Sequence, residues 1–490
     1  MGTANEEIEL KFLCEPADLE ALLAAAEGVD DSAADLSATY FDTPDRRLRE
    51  LGAGLRIRQE PTGRLQTLKA GSGLRRQEDE TPVDADQLDP EHAALRDLIG
   101  AAEVARLEPL FTVKVHRRKR LLTRDGAQVE MAADQGEVRA GRRKSTVCEV
   151  ELELKAGAPS ALFTLARELF EVAPLYLSFD TKADQGFALA DGGRSARRHD
   201  QPDLKRGMNA AAAFQAIGRA ALAQIAANGL ILRGGDSPEA LHQLRVAARR
   251  LRSAMTTFKP LIADDQLEPL KGELKWLAGA CDEARNLDVF IDETYRPAAQ
   301  GAAAIHGLAD LGQALETARG SAHAHARAAV ASTRFRALLL ELYAWIETGA
   351  WLDALEEGGG KAEDFAAKAL SRRRRKLEKK GADLMNLSDE ARHQVRIQAK
   401  KLRYGAEAFR PVLKDKAGRR LIKKTKKLQE SLGALNDAVS AEALLTGLAL
   451  EGASLYAAGH LAGELQARRG DHLKAAERAW GALRETDDAW

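Results

Sequence analysis

The sequence predicts an α+β protein of two parts, an antiparallel β-sheet in the first 190 residues and an all-helical region after it. Three observations favour this division. Several short segments of the first part alternate charged and apolar residues, which is the period of a half-buried strand. Beyond residue 207 the chain becomes rich in Ala and Leu and nearly free of strand signals. This second part also contains one motif twice.

Length and composition limit the class of protein. A chain of 490 residues is too long for one ordinary hydrophobic core, so two or three domains are expected. It is 45% hydrophobic and 30% charged, and we expect no apolar run near the roughly 20 residues that a membrane span needs. The three cysteines lie far apart, and the first residues show no secretion signal. We therefore expect a cytoplasmic protein without a membrane partner.

The two parts carry opposite net charges. Residues 1–200 contain 28 Lys and Arg against 37 Asp and Glu, which gives −9. Residues 201–490 contain 45 against 37, which gives +8. An acidic part suits cations and a basic part suits polyanions, although net charge alone establishes neither.

The first predicted strand sets the interpretation of the sheet. In residues 7–11 two glutamates and a lysine alternate with apolar residues, so an extended strand places the three charges on one face. One such strand would usually turn its charges to solvent. Residues 149–155 repeat the design with three glutamates and a lysine, and residues 56–58 give a version with two arginines. Several such strands indicate a sheet whose apolar face packs against helices and whose charged face encloses a polar site.

The other elements of the first part follow from spacing and turn residues. A helix is expected at 18–26, and further strands are expected at 38–43, 55–58, 65–69, 111–122 and 128–132. Asp134-Gln135-Gly136 is expected to form a turn before the strand at 149–155. Six to eight short strands joined by tight turns predict an antiparallel barrel or sandwich.

These motifs, in this order, resemble the CYTH family of triphosphate tunnel metalloenzymes. The motifs are Glu-x-Glu-x-Lys at 7–11, Tyr-Phe-Asp-Thr at 40–43, Leu-Arg-Ile-Arg at 55–58, Leu-Lys at 68–69 and Glu-x-Glu-x-Glu at 149–153. The resemblance implies an eight-stranded antiparallel tunnel with flanking helices that hydrolyses or cyclises triphosphate compounds with Mg²⁺ or Mn²⁺. The residues implied to face the metal are Glu7, Glu9, Asp134, Glu149, Glu151 and Glu153. Those implied to hold phosphate oxygens are Lys11, Arg56, Arg58, Lys69, Arg117 and Lys182.

Triphosphate chemistry needs this mixture of acids and bases. The substrate carries about four to five negative charges, and its cleavage depends mainly on positioning and electrostatic stabilisation. Arginine grips phosphate through paired donors and lysine acts as a point charge. Carboxylates beside the anion would repel it unless a cation lay between them. The alternative is that the charges only pair with one another inside the sheet, which would be costly without a ligand or a metal.

The second part is separated by a polar, glycine-containing segment that serves as the predicted linker. The segment 242–252 reappears at 393–403, an offset of 151 that other positions share, such as Ser237 and Ser388. The predicted boundaries are 1–190 for the first domain, 191–207 for the linker and 208–490 for the second domain, with repeat halves at about 208–357 and 361–490.

Each copy of the motif predicts a helix with a basic stripe beside an apolar one. Ser237 and Ser388 are placed as N-caps, and the basic residues after them recur every three or four positions. They are His242, Arg245, Arg249 and Arg252 in the first copy, and His393, Arg396, Lys400 and Arg403 in the second, preceded by a further basic run that includes Arg372 and Arg375. Basic side chains three or four residues apart are spaced roughly 4.5 to 6 Å along the helix axis, which suits a linear anion with repeating charges. A single basic helix face is usually only solvated, but the duplication of this one favours a role in binding an anion. The histidines have cations rather than carboxylates or cysteines as neighbours, which argues against a metal site there.

This constellation resembles the CHAD family, the conserved-histidine α-helical domain. The resemblance implies two four-helix bundles related by pseudo-twofold symmetry, and binding of inorganic polyphosphate by the basic residues just given. The protein could then associate with polyphosphate granules in the cytoplasm. Its oligomeric state stays open.

The combined prediction is an enzyme that hydrolyses inorganic triphosphate to pyrophosphate and phosphate, with a helical module that binds polyphosphate. Within the enzyme class, the alternatives are hydrolysis of thiamine triphosphate or of a nucleoside or RNA 5′-triphosphate, and cyclisation of ATP. A different alternative is a non-catalytic protein that binds polyphosphate or nucleic acid. Aromatic residues make up only 5% of the chain, which gives little scope for base stacking and disfavours a nucleic-acid partner.

Overall fold

The computed structural model describes residues 5–26, 28–61, 63–70, 75–301 and 305–490. The chain divides into two compact units, Met1–Arg197 and Arg198–Trp490. The division falls inside the segment that the sequence predicts to be a linker.

The described residues of the first unit are built on one antiparallel sheet of nine strands. They are β1 (Asn5–Leu13), β2 (Val29–Asp42), β3 (Ala53–Glu60), β4 (Gly63–Ala70), β5 (Arg75–Val83), β6 (Glu108–Arg124), β7 (Ala127–Ala140), β8 (Arg143–Ala156) and β9 (Tyr176–Leu177). Neighbouring strands follow the order β5-β4-β3-β2-β6-β7-β8-β1-β9. β1 pairs with β8 through its second half and also with β5 through Asn5–Ile8. The first and fifth strands thereby join the two sides of the sheet around a common interior.

Within the described residues, six α-helices accompany the sheet. They are α1 (Leu19–Ala25), α2 (Arg47–Glu50), α3 (Ala93–Ile99), α4 (Ala101–Val104), α5 (Ser160–Val172) and α6 (Lys182–Ala190). The apolar faces of β1 and β8 pack against α5, where the rings of Phe12 and Phe170 meet edge to face at 5.6 Å. Phe187 of α6 packs in the same way on Phe111 of β6 at 5.2 Å. Because the apolar side chains face the helices, the charged residues at alternate positions face the interior.

The predicted fold class is confirmed, with two differences in the sheet. It has nine strands rather than eight, since the two-residue β9 pairs with β1. The turn predicted at Asp134-Gln135-Gly136 is wrong, because β7 runs straight through it. A Cβ on Gly136 would lie 2.0 Å from the carbonyl oxygen of Lys114 on β6. The glycine therefore permits a close approach of two strands rather than a change of direction.

The second unit is helical, as predicted. Its α-helices are α7 (Ala210–Gly234), α8 (Pro238–Ile262), α9 (Leu267–Ala280), α10 (Asp282–Phe290), α11 (Arg296–Gln300), α12 (Leu308–Ala331), α13 (Thr333–Thr348), α14 (Ala362–Lys380), α15 (Asp389–Ala408), α16 (Asp415–Gly447), α17 (Gly452–Ala467) and α18 (Arg469–Arg484). Contrary to the expectation from the sequence, one of them, α7, is long and apolar enough to cross a membrane by length and composition alone. Within its most apolar stretch 61% is buried inside the protein, as in a core helix.

The predicted repeat relates α7 and α8 to α14 and α15. Ser237 and Ser388 cap α8 and α15 as expected, each accepting a hydrogen bond from the backbone N–H three residues on. The two copies also meet reciprocally before α7 and α14. The N–H of Ala210 donates to the carbonyl of Gly360, and the N–H of Ala362 donates to that of Met208, both at 2.8 Å.

Candidate active site

A cavity of about 360 Å³ lies in the first unit, lined by side chains from β1 to β8 and from α6. Among the residues that the structure describes, ten Lys and Arg and seven Asp and Glu line it. Those that the sequence singled out are Glu9, Lys11, Arg56, Arg58, Lys69, Arg117, Glu151, Glu153 and Lys182. Asp134 and Glu149 lie behind this wall, completely buried. The side chain of Glu7 lies outside the described residues.

The strand register arranges the acids and bases in three rows across β1, β8, β7 and β6. The first row, called the acid row here, consists of Glu9, Glu153 and Glu130. The second contains Lys11, Glu151, Ala132 and Lys119, and the third Glu149, Asp134 and Arg117. Since neighbouring rows are two residues apart on each strand, they are spaced about 7 Å along it.

The acid row places carboxylates at the cavity surface, whereas the described carboxylates with oxygens within 4.8 Å of one another, close enough to share one ion, are Asp134, Glu149 and Glu151. Carboxylates directly opposite one another on adjacent strands repel, so a row of three on a cavity wall calls for positive charge. Part of that charge comes from Lys155, whose Nζ lies 2.6 Å from Glu153, and from Lys119, whose Nζ lies 2.9 Å from Glu130. Magnesium and manganese favour a few carboxylate oxygens together with water and phosphate oxygens. These carboxylates supply such donors at the cavity surface.

The second and third rows meet in a cluster of six charges, called the buried ion cluster here. Its members are Asp134, Glu149, Glu151, Lys11, Arg117 and Lys182. Arg117 donates to both carboxylate oxygens of Asp134 at 2.7 and 2.6 Å and to Glu151 at 2.6 Å. The Nζ of Lys11 lies 3.4 Å from Glu149 and 3.2 Å from Glu151. Three carboxylates thus balance three cations, which is how a set of charges persists under burial.

The cluster keeps its charges at neutral pH. Burial alone would lower the pKa of Lys182, but Asp134 and Glu149 outweigh that effect and hold the pKa well above its usual value. Burial alone would raise the pKa of Glu151, but Lys182 and Lys11 outweigh it and hold this pKa well below its usual value. Lys182 therefore stays an ammonium and Glu151 a carboxylate.

The opposite wall of the cavity carries the arginines of β3. Arg56 donates from Nη1 to the hydroxyl of Tyr40 at 3.4 Å, and its Nη2 lies 3.7 Å from Glu78. Nε and Nη2 of Arg56, and Nε of Arg58, are buried and find no hydrogen-bond partner in the described part of the chain. Burial and the neighbouring charge of Arg56 also lower the pKa of Arg58. Buried donors left unpaired are costly, and an anion in the cavity would satisfy them.

Sequence reasoning missed several cavity residues, chiefly Glu78 and Glu80 on β5 and Glu130 on β7. Glu78 lies 3.1 Å from Lys69, and Glu80 accepts a hydrogen bond from Thr67 at 3.1 Å. The alternation of Glu78 and Glu80 around Asp79 was the available signal. It was hidden because the strand carries almost no apolar residues to reveal its period.

The second unit contains a basic groove of about 880 Å³ along α8, α15 and α16. Among the described residues, eleven Lys and Arg and one carboxylate, Glu407, line it. The predicted residues that line it are His242, Arg245, Arg249, Lys400 and Arg403. The sequence missed a further stripe on α16, formed by Arg419, Lys423 and Lys426. These three step by four and three residues, the same spacing that identified the stripe on α8.

Five predicted polyphosphate residues do not line the groove. They are Arg252, His393, Arg396, Arg372 and Arg375. His393 is held by its Nδ1, which lies 2.9 Å from the side-chain oxygen of Asn436. Arg372 and Arg375 are exposed on α14. The two copies of the repeated motif, on α8 and α15, therefore contribute different sets of residues to the groove.

Several groove cations have acidic partners, whereas Lys400 lies among arginines. Arg245 donates to Asp282 at 2.6 Å, and Arg250 and Arg403 both pair with Glu407. Burial lowers the pKa of Lys400 to about 7, assisted by repulsion from the surrounding arginines. These arginines are Arg396, Arg249, Arg245 and Arg403. The free groove thus holds more positive charge than its own acids neutralise.

Comparison with known families supports this division of the chain. Residues 5–187 match the CYTH domain, and residues 216–446 match the CHAD domain. The chain is 33% identical over 194 residues to an inorganic triphosphatase of Haemophilus influenzae, which covers 38% of this chain. It spans 55% of the length of that relative.

The helical part resembles a solved structure of a plant protein. This is the crystal structure of the CHAD domain from the plant Ricinus communis, with 28% identity and a TM-score of 0.54. The similarity covers 60% of this chain and 99% of the plant domain. The plant domain is therefore matched over almost its full length.

Proposed function

Since this chain carries a CYTH domain followed by a CHAD domain, we propose that it hydrolyses inorganic triphosphate to pyrophosphate and phosphate with the help of a divalent cation. The similar enzyme of Haemophilus influenzae bears the name inorganic triphosphatase. The observation that carries the proposal is that Nε and Nη2 of Arg56 and Nε of Arg58 lack a hydrogen-bond partner among the described residues, inside a cavity lined by both signs of charge. A condensed phosphate supplies the missing acceptors.

The side chains have separate tasks in this reaction. Arg56, Arg58 and Lys69 bind phosphate oxygens and fix the substrate between the walls. Glu9, Glu153 and Glu130 would hold Mg²⁺ or Mn²⁺, which when bound supplies charge stabilisation to the phosphate oxygens. Glu151 orients Lys11 and Arg117 towards the cavity through its two oxygens. Catalysis then depends on donors placed in advance for the charge that develops on the leaving oxygen.

The cavity offers little aromatic surface to a base, since only three of its described lining residues, Tyr40, Phe179 and Phe187, are aromatic. Two of its aromatic residues, Tyr40 and Phe187, are buried and pack on Phe111, Tyr40 by stacking at 4.9 Å. Their faces are therefore committed to the core rather than offered to a base. Tripolyphosphate needs no such surface.

We expect phosphate release from tripolyphosphate to exceed that from ATP, thiamine triphosphate and long-chain polyphosphate at equal concentration. The measurement is phosphate release with Mg²⁺, with Mn²⁺ and with a chelator. Activity that survives chelation would contradict the metal dependence. Preference for ATP or thiamine triphosphate would contradict the substrate, and no release from any of the four would favour a binding protein.

We propose further that the second unit binds inorganic polyphosphate in its basic groove. The support is the ratio of eleven Lys and Arg to one carboxylate along a groove built from three helices. Regularly spaced cations on α8 and α16 match the repeating charge of a linear polyanion. The few aromatic residues disfavour single-stranded RNA as the ligand.

Polyphosphate affinity should fall as the pH rises from 6.5 to 8.5. Lys400 has a pKa of about 7 in the free groove, and a bound polyanion raises this pKa towards that of an ordinary lysine. Below pH 7 Lys400 is protonated before and after binding, whereas above it binding must take up a proton. Because binding above pH 7 takes up one proton at Lys400, the affinity for polyphosphate should fall by up to about tenfold for each pH unit.

The measurement is a titration of long-chain polyphosphate by fluorescence anisotropy at constant ionic strength. Lys400→Arg is the matched control, because arginine stays charged over this range and should flatten the profile. An equally steep profile for Lys400→Arg would assign the proton to another group.

A further inference from the structure

Two of the three cysteines meet in the first unit. Cys14 and Cys148 are 134 positions apart in the chain, yet their Sγ atoms lie 3.5 Å from each other. Cys281 lies in the second unit, and all three are free thiols. The fold thus brings together a pair of thiols that the spacing in the sequence does not reveal.

The strands hold these two sulfurs opposite each other. Leu13 of β1 is paired with Glu149 of β8, and the ladder continues by one residue, since the N–H of Cys14 donates to the carbonyl of Cys148 at 3.2 Å. Opposed residues of antiparallel strands have Cα atoms about 4.5 or 5.5 Å apart, and a disulfide needs roughly 4.4 to 6.8 Å. The backbone is therefore already at the separation that a disulfide requires.

From this geometry we propose that Cys14 and Cys148 are a redox-sensitive modification site, at which a hydroperoxide converts the two thiols to a reversible disulfide. Neither cysteine is among the described residues that line the cavity of the first unit. The inference therefore does not depend on the proposed hydrolysis of triphosphate. It also agrees with the expected reducing compartment, where disulfides are usually transient and serve redox sensing.

Exposure decides which thiol reacts first and with what. Cys148 is partly exposed, whereas Cys14 is only 9% exposed, so an oxidant in solution reaches Cys148 first. The carboxylates of Glu15 and Asp18 place negative charge around the pair. That charge disfavours an anionic oxidant such as glutathione disulfide, whereas hydrogen peroxide is small and neutral.

The reaction has two steps. In the first, the Cys148 sulfur, as its thiolate, attacks one oxygen of hydrogen peroxide and the O–O bond breaks; the departing hydroxide takes up the thiol proton and leaves as water. Cys148 is then a sulfenic acid. In the second, the Cys14 sulfur attacks the Cys148 sulfur and the S–O bond breaks, and the departing hydroxide leaves with the Cys14 proton as a second water. Two thiols are oxidised to one disulfide, and one hydrogen peroxide is reduced to two waters.

The test treats the reduced full-length chain with hydrogen peroxide, alkylates the remaining thiols and maps the unreduced peptides by mass spectrometry. The wild type should yield a peptide pair linked through Cys14 and Cys148, lighter by two hydrogen atoms than the separate peptides. Free thiols should fall from three to one per chain. Dithiothreitol should remove the link, because thiol–disulfide exchange reverses it.

Two variants make the test specific. Cys14→Ser removes the resolving thiol, so peroxide should leave a sulfenic acid on Cys148 that dimedone traps. Cys281→Ser is the matched control, since Cys281 is completely buried and burial raises the pKa of its thiol to about 12. This variant should form the same link at the wild-type rate.

Three results would overturn the inference. They are a wild type that keeps all three thiols at peroxide concentrations that oxidise a free cysteine, a link that involves Cys281 or joins two chains, and a Cys14→Ser protein without a dimedone adduct on Cys148. If Cys14→Ser does not fold, the peptide map of the wild type decides alone, because the presence or absence of the Cys14–Cys148 link needs no variant.

Discussion

Glu9→Gln is expected to lose triphosphate turnover at ordinary magnesium concentrations and to regain most of it at high concentrations. Glu9 faces Glu153 across β1 and β8, and its replacement removes one charged donor from the acid row. Loss of a direct ligand should weaken metal binding by at least the roughly 10- to 100-fold that loss of an outer-shell partner typically costs. The measurement is the initial rate as a function of magnesium, which should show a raised half-saturating concentration with a nearly unchanged maximum.

Two comparisons make this expectation specific. Glu151→Gln should also lose turnover, but magnesium should not restore it, because the oxygens of Glu151 hold Lys182 and Arg117 in place. Glu137→Gln, on β7 outside the cavity, is the matched control and should leave the magnesium dependence unchanged. If Glu9→Gln keeps the wild-type magnesium dependence, Glu9 does not belong to the metal site.

Arg56→Ala is expected to reduce kcat/KM for triphosphate by about 10²- to 10³-fold, the range found when one preorganised donor is removed from an active site. Nε and Nη2 of Arg56 have no hydrogen-bond partner among the residues that the structure describes, so we expect the substrate to supply their acceptors. Arg56→Lys should recover only part of the loss, because it keeps the charge without the paired donors.

Thermal unfolding distinguishes this binding role from a structural one. A buried arginine with unpaired donors costs stability, so the unliganded Arg56→Ala protein should melt no lower than the wild type. Triphosphate should raise its melting temperature less than that of the wild type, since bound ligand stabilises in proportion to its affinity. Arg64→Ala is the matched control, because Arg64 lies on the neighbouring strand and pairs with Asp86 at the surface. A large fall in the melting temperature of Arg56→Ala would indicate a structural arginine.

The fold was predictable where an apolar face accompanied the charges. β1, β3 and β8 alternate charged and apolar residues, and their period can be read directly from the sequence. β5 could not be found in this way, because Arg75–Val83 contains almost only polar residues. It forms a strand because it pairs with β4 and β1. Gly136 misled the prediction because glycine serves turns and close strand contacts alike.

The candidate site was predictable in its residue types but not in its arrangement. The alternation of charged and apolar residues places Glu9 and Glu153 on the charged face of the sheet. It does not give the strand register that sets them opposite each other. Register depends on turn lengths and on pairing between strands that are distant in sequence. The place of Lys182 was hidden for the same reason, since the packing of α6 on β6 and β7 decides what its first residue touches.

The pairing of β1 with β8 also bears on how the protein is made. Glu9 and Glu153 are 144 positions apart in the chain, and Lys182 follows later still. During synthesis β1 can pair with β8 only after most of the domain has emerged from the ribosome. Contacts between residues so far apart in the sequence form slowly. Until β8 arrives, one edge of β1 stays open to other strands, which makes the nascent chain prone to aggregation. A truncated chain that ends before residue 153 would contain Glu9 without Glu153, the residue opposite it in the acid row. Catalytic activity is therefore expected only after nearly the whole domain has been translated.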